Sequence, residues 1–131
     1  MLTKLTIIFA KIEKKRQIFS DEYFMLFLNK ENKLPSETVT QSGISACMDK
    51  IFGKYFKIDK HWPNIKLSDA RVYLDSGKLT TELVYTCFIP SVWSIEKTGG
   101  FYTRKTINDL SIKIDPFLLD VISKQSASVY R

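Results

Sequence analysis

Histidine occurs once in this chain, at His61, and cysteine twice, at Cys47 and Cys87. No C-x-x-C and no Cys/His pair at ligand spacing joins them, so the usual zinc sites are excluded. Each cysteine sits inside an apolar pattern and reads as a free, buried thiol in a reducing compartment, with a disulfide between them as the alternative. Phosphate-cradling P-loops, the G-x-G-x-x-G fingerprint and the G-x-S-x-G elbow are all missing, which removes the hydrolase and nucleotide classes that depend on them. The N-terminal apolar stretch Leu5 to Ala10 is bracketed by Lys4 and Lys11. It is too short for a signal segment or a membrane span, so no membrane partner and a cytoplasmic location are expected. Internal repeats, low-complexity tracts and linkers are also missing, and residues 1–131 read as one domain.

The 131 residues are 44% hydrophobic, 26% charged and 13% aromatic, a composition that can fill a core without disulfides or metals. Twenty Lys and Arg against fourteen Asp and Glu give a net charge of +6. That balance favours acidic partners: a nucleotide-like anion, nucleic acid or an anionic surface.

Leu5 to Ile12 reads as a strand, and Tyr23 to Leu28 as a central strand covered on both faces. Leu34-Pro35 closes that strand, because proline cannot donate to a ladder. The stretch from Leu34 to Ile58 is what the chain is organised around. Its apolar residues Ile44, Cys47, Met48, Ile51, Phe52, Tyr55 and Phe56 recur at three- and four-residue steps. They predict a helix, capped by Ser42 or Ser45, with Asp49, Lys50, Lys54 and Lys57 on or near the other face. Gly53 inside it costs about 1 kcal/mol relative to alanine. Asp59 to Lys66 is a loop. Leu67 to Leu74 and Leu79 to Ile89 are strands joined by the turn Asp75-Ser76-Gly77-Lys78. Val92 to Ile95 and Phe101 to Arg104 are expected to form a ribbon around Gly99-Gly100. Thr106 is expected to cap a helical turn through Leu110. Asp115-Pro116 starts a closing helix through Gln125, and the tail from Ser126 is expected to fray.

Element order and spacing together resemble the Nudix fold. LPSETV (Leu34 to Val39) with the helix ISACMDKIFGKYFKI is similar to the family's Leu-Pro-Gly-Gly-x-Val lead-in and box helix. FYTRKTINDLSIKIDPFLLDVIS (Phe101 to Ser123) is similar to its late strand, short turn and closing helix. The resemblance implies an α+β class, an α/β/α sandwich with a mixed central sheet and two main helices. It also implies where function departs. The family's glutamates, in Arg-Glu-x-x-Glu-Glu, hold magnesium against a pyrophosphate, because hard cations take carboxylate oxygens from one helix face. Here Ser36 and Glu37 stand in place of the two glycines. The box positions fall on Asp49 to Lys54, or one residue later, and neither register supplies a glutamate.

The expectation is therefore a degenerate Nudix box and a non-catalytic domain, a pseudoenzyme that senses a ligand, regulates or holds a protein partner. Lys50, Lys54 and Lys57, with Tyr102 as a stacking ring, are its candidate anion-binding residues, and no metal or other cofactor is expected. Against that stands the default for a lysine-bearing helix face, simple solvation. The alternative is a divergent pyrophosphohydrolase using Glu37, Asp49 or Glu82 with Mg2+, and a third reading is a basic nucleic-acid-binding module. For that third reading the sequence offers Lys11, Lys14, Lys15 and Arg16, with Trp62 and Trp93 as further stacking rings. Val92, Trp93 and Ile95 are candidates for a protein-partner surface.

Overall fold

The computed structural model describes residues 1–12, 24–57, 64–89, 94–95 and 99–129. The chain runs β1 (Leu2–Ile12), β2 (Phe24–Asn29), β3 (Ser36–Thr38), α1 (Gly43–Tyr55), β4 (Phe56–Lys57), β5 (Ile65–Asp75) and β6 (Lys78–Phe88). It continues with β7 (Ser94–Ile95), β8 (Gly99–Thr103), α2 (Arg104–Asp109) and α3 (Pro116–Val129). Five strands lie in the order β5-β6-β1-β2-β8, and β3 adds to β1 to complete a mixed six-stranded sheet.

β1 is the axis of this sheet. It pairs in parallel with β6 from Leu2↔Thr80 to Ala10↔Phe88. Its other edge is divided: Lys4 to Thr6 pair with β3, and Ala10 to Ile12 pair with β2. The period-two alternation of β1 sends Leu5, Ile7 and Phe9 to one face and Ile8 to the other. α1 covers the first face with Cys47, Ile51, Phe52 and Tyr55, over rings from Phe9, Phe27, Phe56 and Phe101. α2 and α3 cover the second with Ile107, Leu118 and Val121, packed on Ile8, Leu26, Leu28 and Val84. β2 has both faces covered, with Phe27 in one core and Leu26 and Leu28 in the other. That is why its sequence is an unbroken apolar run.

The β5–β6 turn is as expected. Ser76 and Gly77 both take positive φ (50° and 81°), the backbone of a hairpin turn that follows strand twist.

Several expectations are corrected. The late ribbon does not form: β7 pairs with β4, and β8 pairs with β2 from Met25↔Thr103 to Asn29↔Gly99. Gly99 is not a turn residue but the first residue of β8, where φ is +149° and the backbone passes tight against β2. A Cβ there would lie 2.5 Å from the Phe27 ring and 2.9 Å from the Leu28 carbonyl oxygen. Gly99→Ala is therefore expected to cost about 1–3 kcal/mol, read as a lower denaturation midpoint at unchanged slope. Leu34-Pro35 does not close β2, which ends at Asn29; the pair leads into β3, with the Pro35 carbonyl accepting from Ile7 N–H at 3.0 Å. The cap of α2 is Thr103, whose hydroxyl accepts from Thr106 N–H at 3.2 Å. Ser42 occupies the N-cap of α1 without a side-chain hydrogen bond. α3 continues to Val129, since nothing from Ser126 onward carries the glycine or proline that would stop it.

Candidate functional site

The position of interest on the α1 face is where β3 meets the helix. Glu37, opposite Leu5 in the β1–β3 register, reaches toward α1. Lys50 Nζ lies 3.8 Å from its Oε2 and Lys54 Nζ 3.6 Å from its Oε1, so two lysines one turn apart close on a single carboxylate. The Cys47 thiol donates to the carbonyls of Glu37 and Thr38 at 3.9 and 3.8 Å, tying β3 to the helix. Burial and the neighbouring Glu37 push this thiol above its ordinary pKa, which disfavours the thiolate. Burial alone pushes Cys87 up to about 12, and both cysteines are free. Beneath α1 the space is filled by aromatic rings: Phe9 lies 5.4 Å from Phe52 and 4.8 Å from Phe56, and Phe27 lies 5.6 Å from Tyr55.

The other face of the sheet holds a second polar cluster. Glu82, on the inward side of β6, is 0% exposed. Its Oε2 accepts from the Thr6 hydroxyl and its Oε1 from Arg71 Nε at 2.8 Å, with Lys4 Nζ at 3.9 Å. The guanidinium of Arg71 also forks onto both oxygens of Asp115, at 3.1 and 3.0 Å. It is stacked between Tyr73, 4.1 Å from the ring centroid, and Phe117, at 4.5 Å. Burial works against the Arg71 charge, but hydrogen bonds to Asp115 and Glu82 outweigh it and raise its pKa. The same bond from Arg71 holds the Asp115 carboxyl below the usual aspartate range. Asp115 also accepts from Phe117 N–H at 2.8 Å, and so opens α3 as its acid cap.

Beside this cluster lies a cavity of about 220 Å³, bounded by β1 and β3, the loop before β3 and the start of α3. Lys4, Thr6, Asn32, Lys33, Ser36 and Lys113, with the carboxylates of Glu82 and Asp115, make its polar lining, and Leu34, Ile114 and Leu118 an apolar wall.

The candidate residues are thus distributed over two faces. Glu37 is brought to Lys50 and Lys54; Asp49 is exposed on α1, and Glu82 lies across the sheet. No group of three or more His, Cys, Asp or Glu placed to hold a metal occurs among the described residues. Lys57 is exposed in β4. Tyr102 faces away from all three lysines, lining a smaller cavity of about 160 Å³ with Phe24, Leu26 and Arg104. Lys11 lies with its ammonium 5.7 Å from the Phe101 ring centroid. Lys14, Lys15, Arg16, His61, Trp62, Val92 and Trp93 fall outside the described residues, as do the side chain of Ile95 and any surface it would form. Sequence reasoning missed Arg71, Lys4, Lys33 and Lys113. One signal was present: Glu82 shares a strand face with Val84, so a buried acid needing a basic partner on the next strand was legible.

A mixed sheet covered by α1 on one side and by α2 and α3 on the other defines an α/β/α sandwich of the α+β class. No family model and no curated protein sequence matches the chain. Solved structures do. The NUDIX domain of Shewanella oneidensis NrtR, complexed with ADP ribose, superposes with a TM-score of 0.66 at 10% identity, over 98% of this chain and 88% of that one. A C. elegans Ap4A hydrolase binary complex gives 0.64 at 10% identity, over 98% of each chain. The C-terminal domain of mouse MUTYH, in complex with human PCNA, gives 0.65 at 8% identity, over 98% and 89%. The chain has the Nudix fold.

Proposed function

We propose that this Nudix-fold domain is non-catalytic and works as a ligand-sensing, regulatory module. The observation that carries the reading is the closure of Lys50 and Lys54 on Glu37, on the helix that the family resemblance makes the metal site. A magnesium ion needs several unencumbered oxygen donors in octahedral geometry. Among the described residues, the donor set on this face is one carboxylate already shared by two ammonium groups, with Asp49 exposed on α1. These residues do not fit the ion. Glu82, the remaining candidate of the enzyme alternative, is engaged by Thr6 and Arg71 on the opposite face.

The neighbours support binding as the role: one was solved with ADP ribose and another with PCNA. An anionic, nucleotide-like ligand is the partner that the +6 charge favours, and a protein partner is the other form this role can take. No helix among the described residues is long and apolar enough to cross a membrane.

Incubation with ADP ribose and with Ap4A in millimolar Mg2+ or Mn2+ is expected to give no product above the uncatalysed background. Metal-dependent turnover that is lost in Glu37→Gln would overturn the reading. For the nucleic-acid alternative, affinity for a single-stranded oligonucleotide that falls steeply with salt would support it, and salt-independent or absent binding would remove it.

A further inference from the structure

We propose that the cavity beside Glu82 is a metal-free site for a small phosphorylated molecule, gripped by Lys4, Lys33 and Lys113. The proposal deepens the ligand-sensing reading and rests on it. Three elements each bring one lysine to the cavity lining: Lys4 from β1, Lys33 from the loop before β3 and Lys113 from the segment before α3. Glu82 and Asp115 also line the cavity, but Arg71 bonds both of them, and Glu82 holds Lys4 at 3.9 Å besides. Four cations therefore face two anions, and the excess charge lies on the cavity side. Among the described residues, Lys33 and Lys113 have no acidic partner.

The loop that presents Asn32 and Lys33 is built in advance. Asn29 Oδ1 accepts from the N–H groups of Glu31 and Lys33 at 2.9 and 3.1 Å, and Asn29 N–H donates to the Lys33 carbonyl at 2.9 Å. Asn32 holds the left-handed backbone that closes this turn, with φ of 61°. A preorganised loop loses little entropy when a ligand arrives.

The donor set selects the ligand chemistry. Three ammonium groups, the Asn32 amide and the Ser36 hydroxyl match the several charged oxygens of a phosphate monoester, which carries close to two negative charges near neutral pH. The volume of about 220 Å³ exceeds the ~150 Å³ that accepts a benzene, so a phosphate and a short organic body fit together. Leu34, Ile114 and Leu118 would meet that body.

The test is titration of the full chain with ribose 5-phosphate in EDTA, followed by amide chemical shifts, with ribose as the uncharged control. Saturable shifts at Thr6, Lys33, Ser36 and Lys113 are expected with the phosphate ester and none with ribose. Lys33→Gln with Lys113→Gln is expected to weaken binding by about tenfold or more. Removing two charges elsewhere, at the exposed Lys66 and Lys78 (Lys66→Gln with Lys78→Gln), should leave the affinity unchanged. No saturable shift at millimolar ester, or an equal loss in both double variants, would overturn the proposal. The two readings fail separately: magnesium-dependent turnover would overturn the non-catalytic role while leaving EDTA-resistant binding in place.

Discussion

Replacing Arg71 with alanine is expected to cost about 3–5 kcal/mol of folding stability, because removing one partner of a buried ion pair leaves the other charge stranded. Glu82 is that stranded charge. It is fully buried on the second face of the sheet, and without the guanidinium it keeps only the Thr6 hydroxyl and a lysine at 3.9 Å. The same change cuts the fork to Asp115 and so detaches the start of α3 from the β5–β6 hairpin. Arg71→Lys is not a conservative rescue, since a single ammonium cannot span both carboxylates. Arg71→Met combined with Glu82→Gln is the informative partner: neutralising both groups should recover much of the loss. Urea denaturation of the four proteins gives the comparison.

The acid side supplies a second readout of the same network. Asp115 has its pKa lowered in the folded chain, chiefly by the Arg71 hydrogen bond. A depressed carboxylate contributes stability that is present above the ordinary aspartate pKa near ~4 and lost as pH falls through the folded value. Wild type should therefore lose stability more steeply on acidification than Asp115→Asn. At 41% side-chain exposure the aspartate is screened, so the difference is expected to be modest.

Phe27→Ala is expected to be comparably damaging, about 3–5 kcal/mol, through a different cause. The Phe27 ring meets Phe9 at 6.2 Å, Tyr55 at 5.6 Å, Phe56 at 5.0 Å and Phe101 at 5.5 Å between centroids. It joins β1, β8 and α1 in one cluster and is 0% exposed. Truncation removes the transfer term and leaves a cavity that surrounding rings, each wedged by others, cannot collapse into. Phe27→Leu should recover more than half of the loss. Unlike the Arg71 variant, Phe27→Ala should show no change in the acid dependence of stability, which separates the two mechanisms.

The elements that sequence made legible are those whose burial pattern is periodic. Tyr23 to Leu28 is apolar on both sides of the strand because α1 covers Phe27 while α2 and α3 cover Leu26 and Leu28. The helix over Ile44 to Tyr55 follows from three- and four-residue apolar steps, and Asp115-Pro116 marks the start of α3 through ordinary capping chemistry. Together with the Leu-Pro lead-in, these were enough to identify the Nudix likeness. Pairing was harder. Gly99-Gly100 looks like a turn, yet what demands glycine is the approach of Phe27 and Leu28 from a strand some seventy residues earlier. No local signal carries that.

The site was less legible than the fold for the same reason. Lys50 and Lys54 stood out because they share a helix face, but their carboxylate partner Glu37 lies on β3. Lys4, Lys33 and Lys113 each look like an isolated solvated charge, and only the tertiary fold brings them to one cavity. Nothing local in the sequence separates Tyr102 from the α1 lysines, whereas strand alternation in β8 sends Phe101 toward α1 and Tyr102 toward α3.

The proposed non-catalytic role depends on α1 presenting lysines closed on Glu37 and no acidic metal clamp. Paramagnetic broadening by Mn2+ tests it residue by residue, since a bound ion bleaches the amide resonances around it. The account predicts that submillimolar Mn2+ leaves the amides of Glu37 and of Asp49 to Lys54 as sharp as those of the β5–β6 turn. Selective, saturable broadening at Glu37 and along α1, reversed by EDTA, would contradict it.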